Sequence, residues 1–529
     1  MVTVRDATFA ALRSLGMTTV FGNPGSTELP FLRDFPEDFR YVLGLQEAAV
    51  LGMADGFAQA TGEPTLVNLH TAPGLGNAMG AMVNAHHART PLVVTAGQQD
   101  RRQLALEPLL HGKLTELARP YVKWSHEPGR AEDVPAALVR AFHTAAREPQ
   151  GPVFVSIPMD DWEAEAEPVE ARRVARRTAP DPEALVSIAE VLQKSERPAV
   201  VAGDGVGRNG AWHEAVELAE RLRAAVYNEP TSTRASFPQD HPLFRGHLAP
   251  SRRAVRERLA GHDVVLVLGA AVFKYYPYAP GDFVEAGTRV LQVTDDPDEA
   301  TRAATGTSVV GNVALAARAL TDLLPPGELP SPERAYRPDA PRATTPISVD
   351  YLMQSLNEAL PKDAVVVNEA VSSEGRLRQH VPVTRPNSFF GSAGVGGGLG
   401  FGMAGTVGVQ MALPDRTVVG VVGEGAAMYT VQALWTAARY GIPVTYVVVN
   451  NSHYAILKSF AGQAGMGEKI PGLDLPELDP AAVAQAFGVP SETVEDHTRL
   501  HESLARALST EGPCLLNVMV DRTVLDLMG

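Results

Sequence analysis

TVVGVVGEG, from Thr417 to Gly425, and VTYVVVNN, from Val444 to Asn451, each run an apolar strand into a short polar turn. Twenty-four residues separate Gly425 from Asn450, enough for a turn, a helix and a returning strand. A right-handed crossover of that kind brings both turns to one end of a parallel sheet, where open α/β sheets bind ligands. The glycines let backbone amides approach a phosphate closely. Glu424 offers one hard oxygen to a divalent cation, and Asn450-Asn451 offers an amide oxygen and a backbone carbonyl. The pair predicts a magnesium-diphosphate clamp; two ordinary βα turns are the plainer alternative.

Outward from that pair, short apolar runs recur between helical segments. They lie at Thr19 to Phe21, Tyr41 to Leu45, Thr65 to Leu69, Leu92 to Ala96 and Val153 to Ile157. A second group lies at Ala199 to Ala202, Val264 to Leu268 and Val290 to Val293. The third comprises Ala364 to Val367, Thr417 to Val422, Val444 to Val449 and Leu515 to Val520. The alternation predicts an α/β fold of three doubly wound parallel-sheet domains, spanning 1–165, 181–325 and 345–529. Charged or Pro-rich stretches, Glu163 to Pro182 and Leu323 to Pro346, read as the linkers. AHHARTP at 85–91 echoes AARYGIP at 437–443, each before a buried strand, which suggests that the first and third domains share a topology.

The 529 residues carry a net charge of −15, which argues against a nucleic-acid partner. The single cysteine, Cys514, excludes an intramolecular disulfide framework and a multi-thiolate metal site. Met1 to Leu15 carries Arg5, Asp6 and Arg13 and does not read as a signal peptide, and no apolar run reaches membrane-spanning length. The expected setting is the cytoplasm.

Three further positions bear chemistry. Glu47 opens a run of small residues after a strand; it is either a simple helix N-terminal charge or a buried carboxylate poised for proton transfer. His70 ends the strand Thr65 to Leu69 above a Gly-rich turn, where sheet-end sites put acids and bases. Ser26, in GNPGS at 22–26, donates to a substrate carboxylate or merely stabilises its turn. Gly205 to Gly210, followed by Glu229, formally matches a dinucleotide fingerprint, a weak signal that leaves an NAD-linked oxidoreductase as a distant alternative.

Together with the runs VFGNPGSTELPFLRDFPEDFRYVLGLQEA, NAMGAMVNA, PLVVTAGQQ and QGPVFVSIPMDDW, these elements resemble the thiamine diphosphate-dependent decarboxylase superfamily, most closely its benzoylformate decarboxylases. The resemblance runs along nearly the whole chain. It implies pyrimidine-binding, middle and diphosphate-binding domains, with thiamine diphosphate and Mg2+ (or Ca2+) as cofactors. Glu47 would hydrogen-bond the aminopyrimidine ring, while Ser26 and His70 would act on a 2-oxo acid. Gly397, Leu399, Gly423, Glu424, Gly425, Ala426, Asn451 and Tyr454 would hold the cofactor, with Leu399 as the apolar wedge that bends it. Glu424, Asn451 and the backbone carbonyl of His453 would bind the metal. Ser26, His70, Asn77, Tyr276, Ile456 and Phe460 would line the substrate pocket. A homotetramer, a dimer of dimers with sites between subunits, is also implied.

The chain departs from that pattern at named positions. Glu424 stands where the family has Asp, Tyr276 where it has a second catalytic His, Ile456 where it has a small Ala, and His453 where it has Thr. The loop Gly391 to Gly400 is two residues longer. The expected reaction is non-oxidative decarboxylation of an aryl or branched 2-oxo acid. Carboligation to a 2-hydroxyketone and a cofactor-binding, non-catalytic role are the alternatives.

Overall fold

The computed structural model describes residues 1–326, 340–391, 396–467 and 469–524. Residues 327–339 of the second expected linker and 392–395 of the lengthened loop lie outside these.

Three six-stranded sheets, parallel throughout, carry the fold. The first contains β1 (Thr19–Gly22), β2 (Arg40–Leu43), β3 (Thr65–Leu69), β4 (Leu92–Gln98), β5 (Ser125–His126) and β6 (Val153–Pro158), in the order β2-β1-β3-β4-β6-β5. The second contains β7 (Pro198–Ala202), β8 (Ala225–Asn228), β9 (Phe244–His247), β10 (Val264–Leu268), β11 (Arg289–Thr294) and β12 (Thr307–Val310), in the order β9-β8-β7-β10-β11-β12. The third contains β13 (Val365–Glu369), β14 (Phe389–Gly391), β15 (Val418–Gly423), β16 (Val444–Asn450), β17 (Ser491–Val494) and β18 (Cys514–Met519), ordered β14-β13-β15-β16-β18-β17. Counted from its own first strand, the third sheet repeats the order of the first. The echoed segments 85–91 and 437–443 precede the fourth strand of each.

The central strands are buried along their whole length, as at Thr65–Leu69, Leu92–Gln98 and Val444–Asn450, because helices cover both faces. This is why they are legible as continuous apolar runs. The strands absent from the sequence reading are short: Ser125–His126, Phe244–His247, Phe389–Gly391 and Ser491–Val494 among them.

Two helices bind the first domain to the third: α1 (Glu47–Thr61) and α3 (Phe401–Ala412), with α2 (Thr71–His87) beside them. The expected face of small residues on α1 does pack closely. A Cβ on Gly52 would lie 2.8 Å from the Ala404 Cβ, and one on Gly56 2.2 Å from the Gly405 carbonyl oxygen. A Cβ on Gly408 would lie 1.8 Å from the Met53 carbonyl oxygen. Since backbone must move to admit that methyl, Gly408→Ala should destabilise the fold by about 3 kcal/mol. Chemical denaturation of the two proteins checks it.

The Gly205–Gly210 loop is filled by the chain itself. A Cβ on Gly205 would lie 2.7 Å from the Gly269 Cα, and the motif itself is the short helix Asp204–Arg208, ahead of a helix from Trp212 to Leu222. Glu229 accepts the Asp204 amide at 2.8 Å instead of facing a ribose, and burial pushes its carboxyl up to about 7. The geometry is that of a closed structural turn.

Candidate active site

In a sheet ordered 2-1-3-4, the crossovers that leave strands one and three run in opposite directions and open a crevice beyond the carboxyl ends of those strands. Ser26 and His70 follow strands one and three of the first sheet and Glu424 follows strand three of the third, while Glu47 and Asn451 flank the crevice after strands two and four.

In the first domain β1 ends at Gly22, ahead of Ser26, and β3 ends at Leu69, ahead of His70. Ser26 is exposed and His70 half-buried. His70 stands immediately before α2, and Thr71 follows at φ +43°, a strained conformation for a β-branched residue. Glu47 is the first residue of α1. Its Oε1 accepts the Asn23 side-chain amide at 3.4 Å and its Oε2 that of Asn77 at 3.0 Å. The sequence reading allowed a buried carboxylate. In the chain by itself Glu47 is half-buried, because it stands in the first turn of its helix at the rim of the sheet.

In the third domain β15 ends at Gly423 and β16 at Asn450. Around a cleft of about 90 Å3 stand Leu399, Gly423, Glu424, Gly425, Ala426, Asn451, His453, Tyr454 and Ile456, with Glu369 and Ser372. Glu424 is 4% exposed, and burial pushes its carboxyl up to about 7 against the pull of nearby backbone amides. Its Oε1 accepts the His453 amide at 3.0 Å, and the Asn451 side-chain oxygen accepts the same amide at 3.1 Å. Ser452, between them, takes φ +59°. A Cβ on Gly425 would lie 2.6 Å from the Tyr454 ring, so glycine lets that ring close over the turn.

Asn450 and Asn451 have separate tasks. The Asn450 amide donates to the Leu478 carbonyl and to Asn517, and its oxygen accepts the Ser452 amide, so it locks the turn from beneath. Asn451 alone lines the cleft. The His453 Nδ1 accepts from Arg522 at 3.2 Å, and burial lowers the pKa of its imidazole.

The donor set fits a hard cation: one carboxylate, one amide oxygen and a backbone carbonyl, with room in the shell for phosphate oxygens and water. Among the described residues no group of three or more His, Cys, Asp or Glu converges, so a softer, thiolate- or imidazole-rich site is not built here.

Leu399 is held from both sides. The Asn84 side chain donates to the Gly398 carbonyl at 2.7 Å and accepts the Gly398 amide at 3.1 Å. The Glu369 carboxylate accepts the amides of Gly400, Phe401 and Gly402 at 2.9–3.1 Å, capping α3. Burial pushes that carboxyl up to about 8. Gly397 and Gly400, at φ +73° and +114°, make the backbone path on either side of Leu399 possible.

Tyr276 is 64% exposed and meets Phe460 edge-on, with ring centroids 5.3 Å apart and planes at 86°. Phe460 lies on the helix Ala455–Gln463, one turn beyond Ile456, whose amide donates to the Ser372 hydroxyl at 3.0 Å.

None of Ser26, Glu47, His70 and Asn77 is among the residues that line the cleft of their own chain. α2 meets the turn before Leu399 farther along its length, where Asn84 bonds Gly398. Residues that the sequence reading missed are Glu28, Asn84, Glu369 and Ser372. A readable signal existed for Glu369, a carboxylate closing the apolar run Val365–Glu369; Asn84 and Glu28 are recognisable only by their contacts.

Three family profiles match the chain: "Thiamine pyrophosphate enzyme, N-terminal TPP binding domain" over residues 2–119, "central domain" over 185–320 and "C-terminal TPP binding domain" over 370–518. Benzoylformate decarboxylase of Pseudomonas aeruginosa is 44% identical over 527 residues, 98% of this chain and 99% of its own. The crystal structure of benzoylformate decarboxylase from Polynucleobacter necessarius superposes with a TM-score of 0.97 at 40% identity, covering 100% of both chains. A 4-hydroxybenzoylformate decarboxylase of Rhodococcus jostii RHA1 superposes with a TM-score of 0.95 at 41% identity, covering 99% of this chain and 100% of the other.

Proposed function

Because the chain belongs to the thiamine pyrophosphate enzyme family, we propose that it is a thiamine diphosphate-dependent lyase that decarboxylates a benzoylformate-like 2-oxo acid to an aldehyde and CO2. The observation that carries this reading is the convergence of Leu399, Glu424, Asn451 and Tyr454 on one cleft at a sheet switch point. Bound thiamine diphosphate would supply the nucleophilic carbon and the electron sink for loss of CO2. Gly423 to Ala426 would hold its diphosphate, and Glu424, Asn451 and the His453 carbonyl would hold Mg2+ or Ca2+. Gly397 and Leu399 would contact the cofactor's rings.

Glu47, oriented by Asn23 and Asn77, holds a proton at the pyrimidine ring. Ser26 donates to the substrate carboxylate, and His70 moves a proton at the substrate carbonyl oxygen. Ile456, Phe460 and Tyr276 bound the side-chain pocket, which favours a smaller or differently shaped group than an Ala at 456 would admit. That Ser26, Glu47 and His70 do not line the cleft of their own chain supports a site completed by a second copy, within a dimer or a dimer of dimers. No helix among the described residues is long and apolar enough to cross a membrane. The buried thiol of Cys514 suits a reducing cytoplasm.

Calorimetry with thiamine diphosphate and Mg2+, followed by CO2 release from a panel of 2-oxo acids, tests the reading; absence of cofactor binding would refute it. A carboligase activity is favoured by one observation: Tyr276, a phenol where the family has an imidazole, stands exposed beside Phe460. Benzaldehyde supplied with a 2-oxo acid should then yield a hydroxyketone.

The raised carboxyl of Glu424 gives a pH dependence. Below about 7 the group holds a proton that a cation must displace, so apparent affinity for Mg2+ with the diphosphate should fall as pH drops through 7. The decline should approach about tenfold per pH unit, measurable by titration at pH 6, 7 and 8.

A further inference from the structure

Glu28 is almost wholly buried, at 1% exposure, yet none of the chemistry above uses it. Every acceptor position of its carboxylate is taken. Oε1 accepts the Gly97 amide at 2.9 Å and the Thr27 hydroxyl at 2.8 Å. Oε2 accepts the Gly25 amide at 2.9 Å and lies 2.9 Å from the His70 Nδ1. The Thr27 hydroxyl oxygen also lies 3.2 Å from that nitrogen.

We propose that Glu28 is a positioning residue that fixes His70 in the tautomer with its proton on Nδ1, leaving Nε2 as the atom that exchanges protons with substrate. A hydroxyl has one hydrogen, and that of Thr27 is directed at Glu28. Nδ1 therefore faces two acceptors, a carboxylate oxygen and a hydroxyl lone pair, and only a protonated Nδ1 satisfies both. A neutral imidazole so arranged carries its free lone pair on Nε2. The ring plane is fixed as well: a Cβ on Gly25 would lie 2.2 Å from Nδ1 and 2.3 Å from Cγ, so the imidazole lies flat against a glycine that leaves it room. A Cβ on Gly97 would lie 2.2 Å from the Glu28 Oε1, so the carboxylate too is seated on bare backbone. The opposite tautomer would set a lone pair against a carboxylate oxygen in a buried site.

The inference rests on the decarboxylase reading, in which His70 transfers the proton. The test is a double-mutant cycle on the holoenzyme with benzoylformate: wild type, Glu28→Gln, His70→Ala and the double variant. Glu28→Gln should lower kcat by about 10- to 100-fold, with KM and the Kd for thiamine diphosphate changed by less than about threefold. In the His70→Ala background the same change should cost less than about twofold, because Glu28 acts only through the ring. Equal losses in both backgrounds, or an unchanged kcat, would overturn the inference and leave the decarboxylase reading standing. A wild-type protein that turns over no 2-oxo acid would overturn both. Should Glu28→Gln fail to fold, nitrogen NMR of histidine-labelled wild type decides the matter. A neutral His70 protonated at Nδ1 supports the inference, and one protonated at Nε2 overturns it.

Discussion

Glu47→Gln is expected to reduce turnover by about 10^3-fold or more while the protein still binds thiamine diphosphate within about threefold of wild-type affinity. The carboxylate accepts from two side-chain amides, Asn23 at 3.4 Å and Asn77 at 3.0 Å. A glutamine keeps one acceptor oxygen and turns an NH2 toward a group that is itself a donor, so one of those contacts is lost. What it cannot do is hold or release a proton, and that is the only task assigned to Glu47. Cofactor affinity should survive because the proposed diphosphate and cation contacts lie on the third domain, around Glu424 and Asn451. Steady-state kinetics together with calorimetry separate the two quantities. A variant that loses binding and turnover in equal measure would show that Glu47 supports the structure of the site and has no part in proton transfer.

The second large effect is expected at Glu424. Glu424→Ala removes the single carboxylate of the proposed cation site and also leaves the His453 amide with only the Asn451 oxygen as acceptor. Loss of a hard ligand and loosening of the 451–453 turn act in the same direction, so affinity for thiamine diphosphate with Mg2+ should fall by about 100-fold or more. Glu424→Asp should behave differently. The shorter side chain draws back from the His453 amide, now 3.0 Å away, but still presents an oxygen to the cation. Affinity should stay within about tenfold of wild type. The pH dependence should persist in the aspartate variant and vanish in the alanine variant, since burial acts on any carboxyl at that position.

The strands that could be read beforehand are those buried on both faces, such as Thr65–Leu69 and Val264–Leu268, where burial demands an unbroken apolar run. Short strands like Ser491–Val494 carry polar residues and only partial burial. The site divides along the same line. Glu424 and Asn451 follow apolar runs directly, so their position at a sheet end can be inferred. Asn84 holds Gly398 across more than three hundred residues, and Glu28 reaches His70 and Gly97 across forty-two and sixty-nine. No local pattern records such meetings.

Sequence alone determined the α/β class, the three-sheet organisation, the repeat of one topology in the outer domains and the placing of Glu424 and Asn451 at strand ends, because hydrophobic periodicity and short Gly-Glu-Gly or Asn-Asn turns are local properties. Tertiary structure decided the rest: that Asn450 locks its turn while Asn451 faces the cleft, that the Gly205 turn is filled, and that Ser26, Glu47 and His70 do not line the cleft of their own chain. The physical reason is that hydrogen bonds and steric exclusion act on distance in space, and folding sets that distance between residues that the chain itself keeps far apart.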